Sequence, residues 1–209
     1  SWQAGDLKII GLEQDENKVA VARKALDEAG LYGRVVIQHG ASTDMPYTKC
    51  FANLIVCDET VRTGKLPAST EQVFTLLRPY GGVVAFALPA GKYKRDDVEK
   101  WGQSLITDWK VYEADKIVLA WAGRGKLKGA GEWTHTYAEP GNTACSADEL
   151  VKGQMALQWF GQPGPRDMID RHHRNVPPLF KDGRLFVPGD CIVFAVDAYN
   201  GTILWDVEI

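Results

Sequence analysis

The chain has 209 residues, 45% of them hydrophobic and 24% charged, with a formal net charge of −3 and a pI near 5.8. This composition is that of a soluble globular chain rather than a disordered one. It carries no basic footprint for a nucleic-acid backbone and no run approaching the ~18 apolar residues of a membrane span. The first residues also lack a basic stretch followed by an apolar core, so no signal peptide is expected. The cysteines Cys50, Cys57, Cys145 and Cys191 are scattered and read as isolated thiols rather than a disulfide framework.

In chain order, Lys8 to Glu13 is a short apolar run ending in a carboxylate, the pattern of a strand buried on both faces of a parallel sheet. Val19, Ala22, Leu26 and Ala29 then recur at helical spacing, with Asp15 placed to cap the helix and Gly30 to end it. Arg34 to His39 is a second strand, closing in the loop Gly40-Ala41-Ser42. Phe51 to Cys57 is a third strand, running straight into Asp58-Glu59. A helix follows over Thr70 to Leu77 with Ser69 or Thr70 as cap, then a strand over Val83 to Leu88 and a helix over Asp96 to Ile106. Trp109 to Glu113 and Lys116 to Trp121 read as a hairpin. Strands alternating with helices predict an α/β fold, Rossmann-like, with a mostly parallel sheet and an antiparallel edge hairpin.

The composition changes near residue 123. Of seven tryptophans only Trp2 precedes Trp101, and glycine thickens after Gly123. Arg124 to Gly131 reads as a linker rather than a phosphate loop, because no clear helix follows to bind an anion. Cys145 to Lys152 suggests a turn of helix capped by Ser146, and Gly153 to Phe160 a strand. Four short strands over Pro177 to Phe180, Arg184 to Pro188, Cys191 to Asp197 and Thr202 to Val207 then predict a small all-β, blade-like segment. His172-His173 with Asp170 invites a metal reading, but neighbouring histidines diverge and no metal site is assigned.

Residues 8 to about 122 resemble the later portion of a class I S-adenosylmethionine-dependent methyltransferase. The resemblance rests on the acid-ended strand Ile9-Ile10-Gly11-Leu12-Glu13, the loop His39-Gly40-Ala41 with Met45-Pro46-Tyr47, the strand Phe51 to Val56, and the helix end Leu76-Leu77-Arg78-Pro79-Tyr80-Gly81-Gly82. It implies S-adenosylmethionine as cofactor. Glu13 would hold the ribose hydroxyls, Gln14 would lie along the adenine, Ala41 and Ser42 would line its edge, and Asp58 would stand at the mouth of the acceptor site. The family's first strand and glycine-rich turn should precede Glu13, and twelve residues leave no room for them. Ala41 also stands where the family often carries an acid. The expectation is therefore a domain over 1–123 that lacks part of its cofactor site and binds the cofactor poorly. No nucleophile–base pair is identified, and methyl transfer needs mainly positioning of donor and acceptor.

Ala195-Val196-Asp197-Ala198-Tyr199-Asn200-Gly201-Thr202-Ile203-Leu204-Trp205 resembles the repeat of quinoprotein-like (PQQ-type) β-propellers. Residues 124–209 would then be a linker and a partial propeller, with Asp197 and Gly201 fixing a tight turn and Trp205 docking on a neighbouring blade. A pyrroloquinoline quinone cofactor is not expected, because one blade cannot build the axial site such a cofactor occupies. The leading reading is a methyltransferase-type segment fused to a propeller-type segment. The alternatives are a non-enzymatic interaction scaffold and a quinone-dependent dehydrogenase fragment. Exposed strand edges predict self-association, and the methyl acceptor is not legible.

Overall fold

Alternation of large and small residues explains the main sheet. In Val83–Pro89 (β4) the side chains of Val84, Phe86 and Leu88 are buried, each opposite Ala122, Ala120 or Val118 of Ile117–Gly123 (β6). The alanines leave room above the sheet for the edge-to-face cluster of Phe86, Trp101 and Trp109. Val73, Leu77, Val98 and Ile106 complete this core. The computed structural model describes residues 7–41, 47–67, 69–102, 105–106, 108–161 and 176–209.

Two compact units are present, Ser1–Tyr47 and Thr48–Ile209. The first holds Ile9–Glu13 (β1), Glu16–Glu28 (α1) and Val35–His39 (β2), with β1 and β2 paired in parallel. Asp15 caps α1 by accepting the Asn17 and Lys18 amides, and Gly30 adopts a φ of 66° just beyond the helix. Arg23 fastens α1 to β2 by donating from Nε to the Ile37 carbonyl at 2.8 Å. Ile9 and Ile10 remain half-exposed in this two-stranded sheet, so the expected burial on both faces is not seen within this unit.

The second unit contains Leu54–Cys57 (β3), Glu59–Thr63 (α2), Thr70–Leu76 (α3), β4, Arg95–Gly102 (α4), Lys110–Glu113 (β5) and β6. Its first sheet has the order β3-β4-β6-β5, with β3 parallel to β4 and the remaining pairs antiparallel. It is therefore mixed rather than mostly parallel, because β6 inserts between β4 and β5. Ser69 caps α3, as its sequence predicts. The short α2, absent from the sequence reading, is tied down by buried Thr60, whose hydroxyl reaches the Cys57 carbonyl at 2.9 Å and the Ala87 carbonyl at 2.6 Å.

The same unit carries an antiparallel sheet of Leu179–Lys181 (β7), Arg184–Gly189 (β8), Ile192–Asp197 (β9) and Ile203–Glu208 (β10), in the order β10-β9-β8-β7. These are the four strands expected, and no closed propeller is formed by the described residues. Trp133 exchanges two main-chain hydrogen bonds with Phe180 and so lies along the β7 edge. Two expectations fail. Residues 145–152 form no helix, because Asp148 draws the Gly131, Leu150 and Val151 amides to its carboxylate and folds the segment as a loop. Residues 153–160 form no strand; Trp159 instead turns inward and donates to the Ala198 carbonyl at 2.9 Å.

The two sheets of this unit meet at a polar seam. Asp197, fully buried, pairs with Arg78 at the turn that leads into β4. Asn200 donates to the Phe51 carbonyl at 2.9 Å and to Asn53 Oδ1 at 2.7 Å, just before β3. Tyr80 stacks on Tyr199 with ring centroids 6.5 Å apart. Arg124 is also buried, donating to the Phe74 carbonyl at 2.7 Å and lying over the Phe74 ring. The start of the expected linker is thus packed against α3.

Candidate functional site

Parallel strands place their C-terminal ends side by side, and β1 and β2 bring Glu13 opposite His39. The ends are laced twice. The Gly40 amide donates to the Glu13 carbonyl at 3.0 Å. His39 Nε2 lies 2.9 Å from the Gln14 carbonyl, which requires the tautomer that donates from Nε2. This holds the Glu13-Gln14 turn against the start of the next loop, where Ala41 is half-buried.

The Glu13 carboxylate is oriented by its own turn, with Oε1 accepting the Asp15 amide at 3.0 Å. That amide holds the carboxyl below its ordinary range, since a hydrogen bond to the charged form favours it. Glu13 is therefore an anion at neutral pH, with the Gln14 amide and Lys18 also favouring its charged form. Capping of α1 falls to Asp15 alone, so the two neighbouring acids divide the work: Asp15 satisfies the Asn17 and Lys18 amides and Glu13 the Asp15 amide. Tyr47 of the same unit donates to Gln38 Oε1, and burial raises its phenol.

Of the residues expected at the site, Glu13, Gln14 and Ala41 are brought together at one end of the β1–β2 pair. Ser42, and the His172-His173-Asp170 group, lie outside the described residues. Asp58 belongs to the other unit, at the N-cap position of α2, where it makes no capping bond and lies 3.6 Å from Arg62 at an exposed position. His39 is the component that the sequence reading missed. Its signal was a polar residue closing an otherwise β-branched strand. Among the described residues no group of three or more His, Cys, Asp or Glu is arranged to hold a metal ion.

The turn between β9 and β10 is closed by Asp197 and Gly201. Asp197 Oδ1 accepts the Tyr199 amide at 2.9 Å, its carbonyl accepts the Gly201 amide at 2.8 Å, and Gly201 has a φ of 72°. A Cβ at Gly201 would run into the Trp159 ring. Trp205 instead lies against Phe186 of its own sheet, with centroids 6.0 Å apart. On the same sheet a shallow groove of about 420 Å³ is lined by Leu179, Phe186, Pro188 and Val193 beneath Thr134 and His135.

No family profile and no curated protein sequence matches the chain. Several solved structures are similar over a little more than half of it. One is a Methanococcus maripaludis protein assigned as an S-adenosyl-L-methionine-dependent methyltransferase, 14% identical, covering 58% of this chain and 68% of its own, with a TM-score of 0.46. The YcgJ protein of Bacillus subtilis is 10% identical, covering 56% of this chain and 82% of its own, with a TM-score of 0.46. An S-adenosylmethionine-dependent methyltransferase of Aquifex aeolicus is 14% identical, covering 56% and 68%, with a TM-score of 0.44. All three scores are below 0.5, and the architecture described above rests on the strand registers themselves.

Proposed function

We propose that the chain carries an S-adenosylmethionine site of the class I methyltransferase kind, at the C-terminal ends of β1 and β2. The observation that supports it is the Glu13 carboxylate, fixed at a strand end by the Asp15 amide through Oε1. An ionised, oriented acceptor pair at the carboxyl end of a parallel strand suits the two hydroxyls of a ribose. Gln14 and Ala41, held beside it by the His39 clip, would bound the adenine. Ser42 completes the proposed set at the adenine edge; Asp58, in the other unit, is not part of it. When bound, S-adenosylmethionine supplies a methyl group on a sulfonium. The chain's own residues bind and orient; none is assigned to move a proton.

The residues present fit the ribose better than the base. Ala41 offers no side-chain acceptor for an adenine amino group, so the proposed affinity is weak. Calorimetric titration with S-adenosylmethionine tests the reading. Binding that falls by about tenfold or more in Glu13→Ala, roughly one charge-assisted hydrogen-bond pair, is the expected result. Heat that is absent in the parent chain, or unchanged in Glu13→Ala, refutes it.

A second reading is a non-enzymatic interaction module, in which the α/β elements serve as scaffold. It is favoured by the polar seam, where Asp197, Asn200 and Tyr199 join the antiparallel sheet to the N-terminal ends of β3 and β4. Self-association through free strand edges belongs to the proposal under either reading, and light scattering at rising concentration measures it.

A further inference from the structure

The outer edge of β10 is the feature that neither reading uses. Among the described residues, β10 pairs only with β9, so its other row of main-chain groups meets no strand. Beyond the irregularity between Ile203 and Trp205, the strand alternates cleanly. Trp205, Val207 and Ile209 stand on one face and are exposed; Asp206 and Glu208 stand on the other and are also exposed.

This pattern discriminates between occupants. A second copy of β10 paired about a two-fold axis must set residues of the same face opposite each other. Within Trp205 to Ile209 every such register with more than one facing position brings Asp206 against Asp206, Asp206 against Glu208, or Glu208 against Glu208. Like charges directly opposite destabilise a ladder. Registers that avoid these pairs run across the irregularity at Ile203–Trp205 in both copies, where pairing is locally disrupted. Self-pairing along this edge is therefore opposed by charge and by backbone shape.

We propose that the β10 edge receives an extended segment of alternating apolar and basic residues from another protein, added antiparallel as a further strand. Main-chain hydrogen bonds hold the segment, its basic side chains meet Asp206 and Glu208, and its apolar ones cover Trp205 and Val207. This is strand addition with charge setting the register. The inference stands apart from the methyltransferase reading, since β10 shares no residue with the proposed cofactor site.

The probe is a synthetic peptide of alternating valine and lysine, added to the full chain and read by amide hydrogen exchange. Exchange within Trp205 to Glu208 is expected to slow severalfold. The same peptide N-methylated on the amides of one edge is expected to give no protection, and a valine–glutamate peptide none. Asp206→Lys with Glu208→Lys, both exposed positions, is expected to reverse the preference between the two peptides while circular dichroism stays unchanged. Protection by the N-methylated peptide, slowing spread over the acidic surface rather than β10, or a preference unmoved by the charge reversal overturns the proposal.

Discussion

At the scale of single residues, function and folding are divided between neighbours. Glu13 and Asp15 are two positions apart, yet Asp15 is spent on the Asn17 and Lys18 amides of α1 while Glu13 accepts the Asp15 amide itself. Tyr199 shows a second such division. It stacks on Tyr80 in the seam, and burial, with Tyr80 adding to it, pushes its phenol up to about 12 from an ordinary 10.0. The folded value is the higher one, so the unfolded chain loses this proton first as pH rises. The stabilisation is complete below pH about 10, declines above it, and is gone once pH passes about 12. Ultraviolet titration of phenolate in the native chain is expected to show Tyr199 among the tyrosines that ionise late, and in Tyr80→Leu the Tyr199 phenol is expected to ionise earlier.

At the scale of elements, the helices are set by their caps and the strands by their partners. Asp15 satisfies two α1 amides. Asp15→Ala is expected to cost about 1 kcal/mol in the unit it caps. Because the Asp15 amide that holds Glu13 survives the substitution, affinity for S-adenosylmethionine is expected to change little once folding is corrected for; calorimetry beside denaturant unfolding separates the two. The strands show a contrasting dependence. β8 and β9 supply Val187, Phe194 and Val196 to a small core completed by Trp159 from an irregular segment. A strand pattern over Gly153 to Phe160 therefore folds as a strap, since Trp159 gains more by burial against the sheet and a bond to Ala198 than by joining a ladder.

At the scale of the whole molecule, the seam makes the mixed sheet and the antiparallel sheet parts of one unit. Asp197 is fully buried, and leaving Arg78 without it strands a desolvated charge. Asp197→Ala is expected to cost about 3–5 kcal/mol and to open β4 and β9 together in native-state hydrogen exchange. Loss of protection in β9 alone would show that the sheets unfold separately. Asn200, Asp197 and Tyr199 all attach at Phe51 to Asn53 and Arg78 to Tyr80, which precede β3 and β4. The antiparallel sheet therefore sits at the N-terminal ends of those strands, whereas Asp58 follows the opposite end of β3.

What the chain settles alone is local. β-branched runs, Ser69 and Asp15 as caps, Gly30 and Gly201 at positive φ, and the repeat-like turn at Asp197 are dictated by near neighbours and are legible in order. So is the acid at the end of β1. Placement is not. That β6 enters between β4 and β5 depends on Ala120 and Ala122 lying opposite Phe86 and Val84, a fit across more than thirty residues. That Arg78 pairs with Asp197, that Trp159 turns inward, and that His39 clips Gln14 are contacts between segments whose sequences carry no mark of one another. Burial of a charge or an indole is favourable only with its partner in place, and that partner is supplied by the tertiary fold.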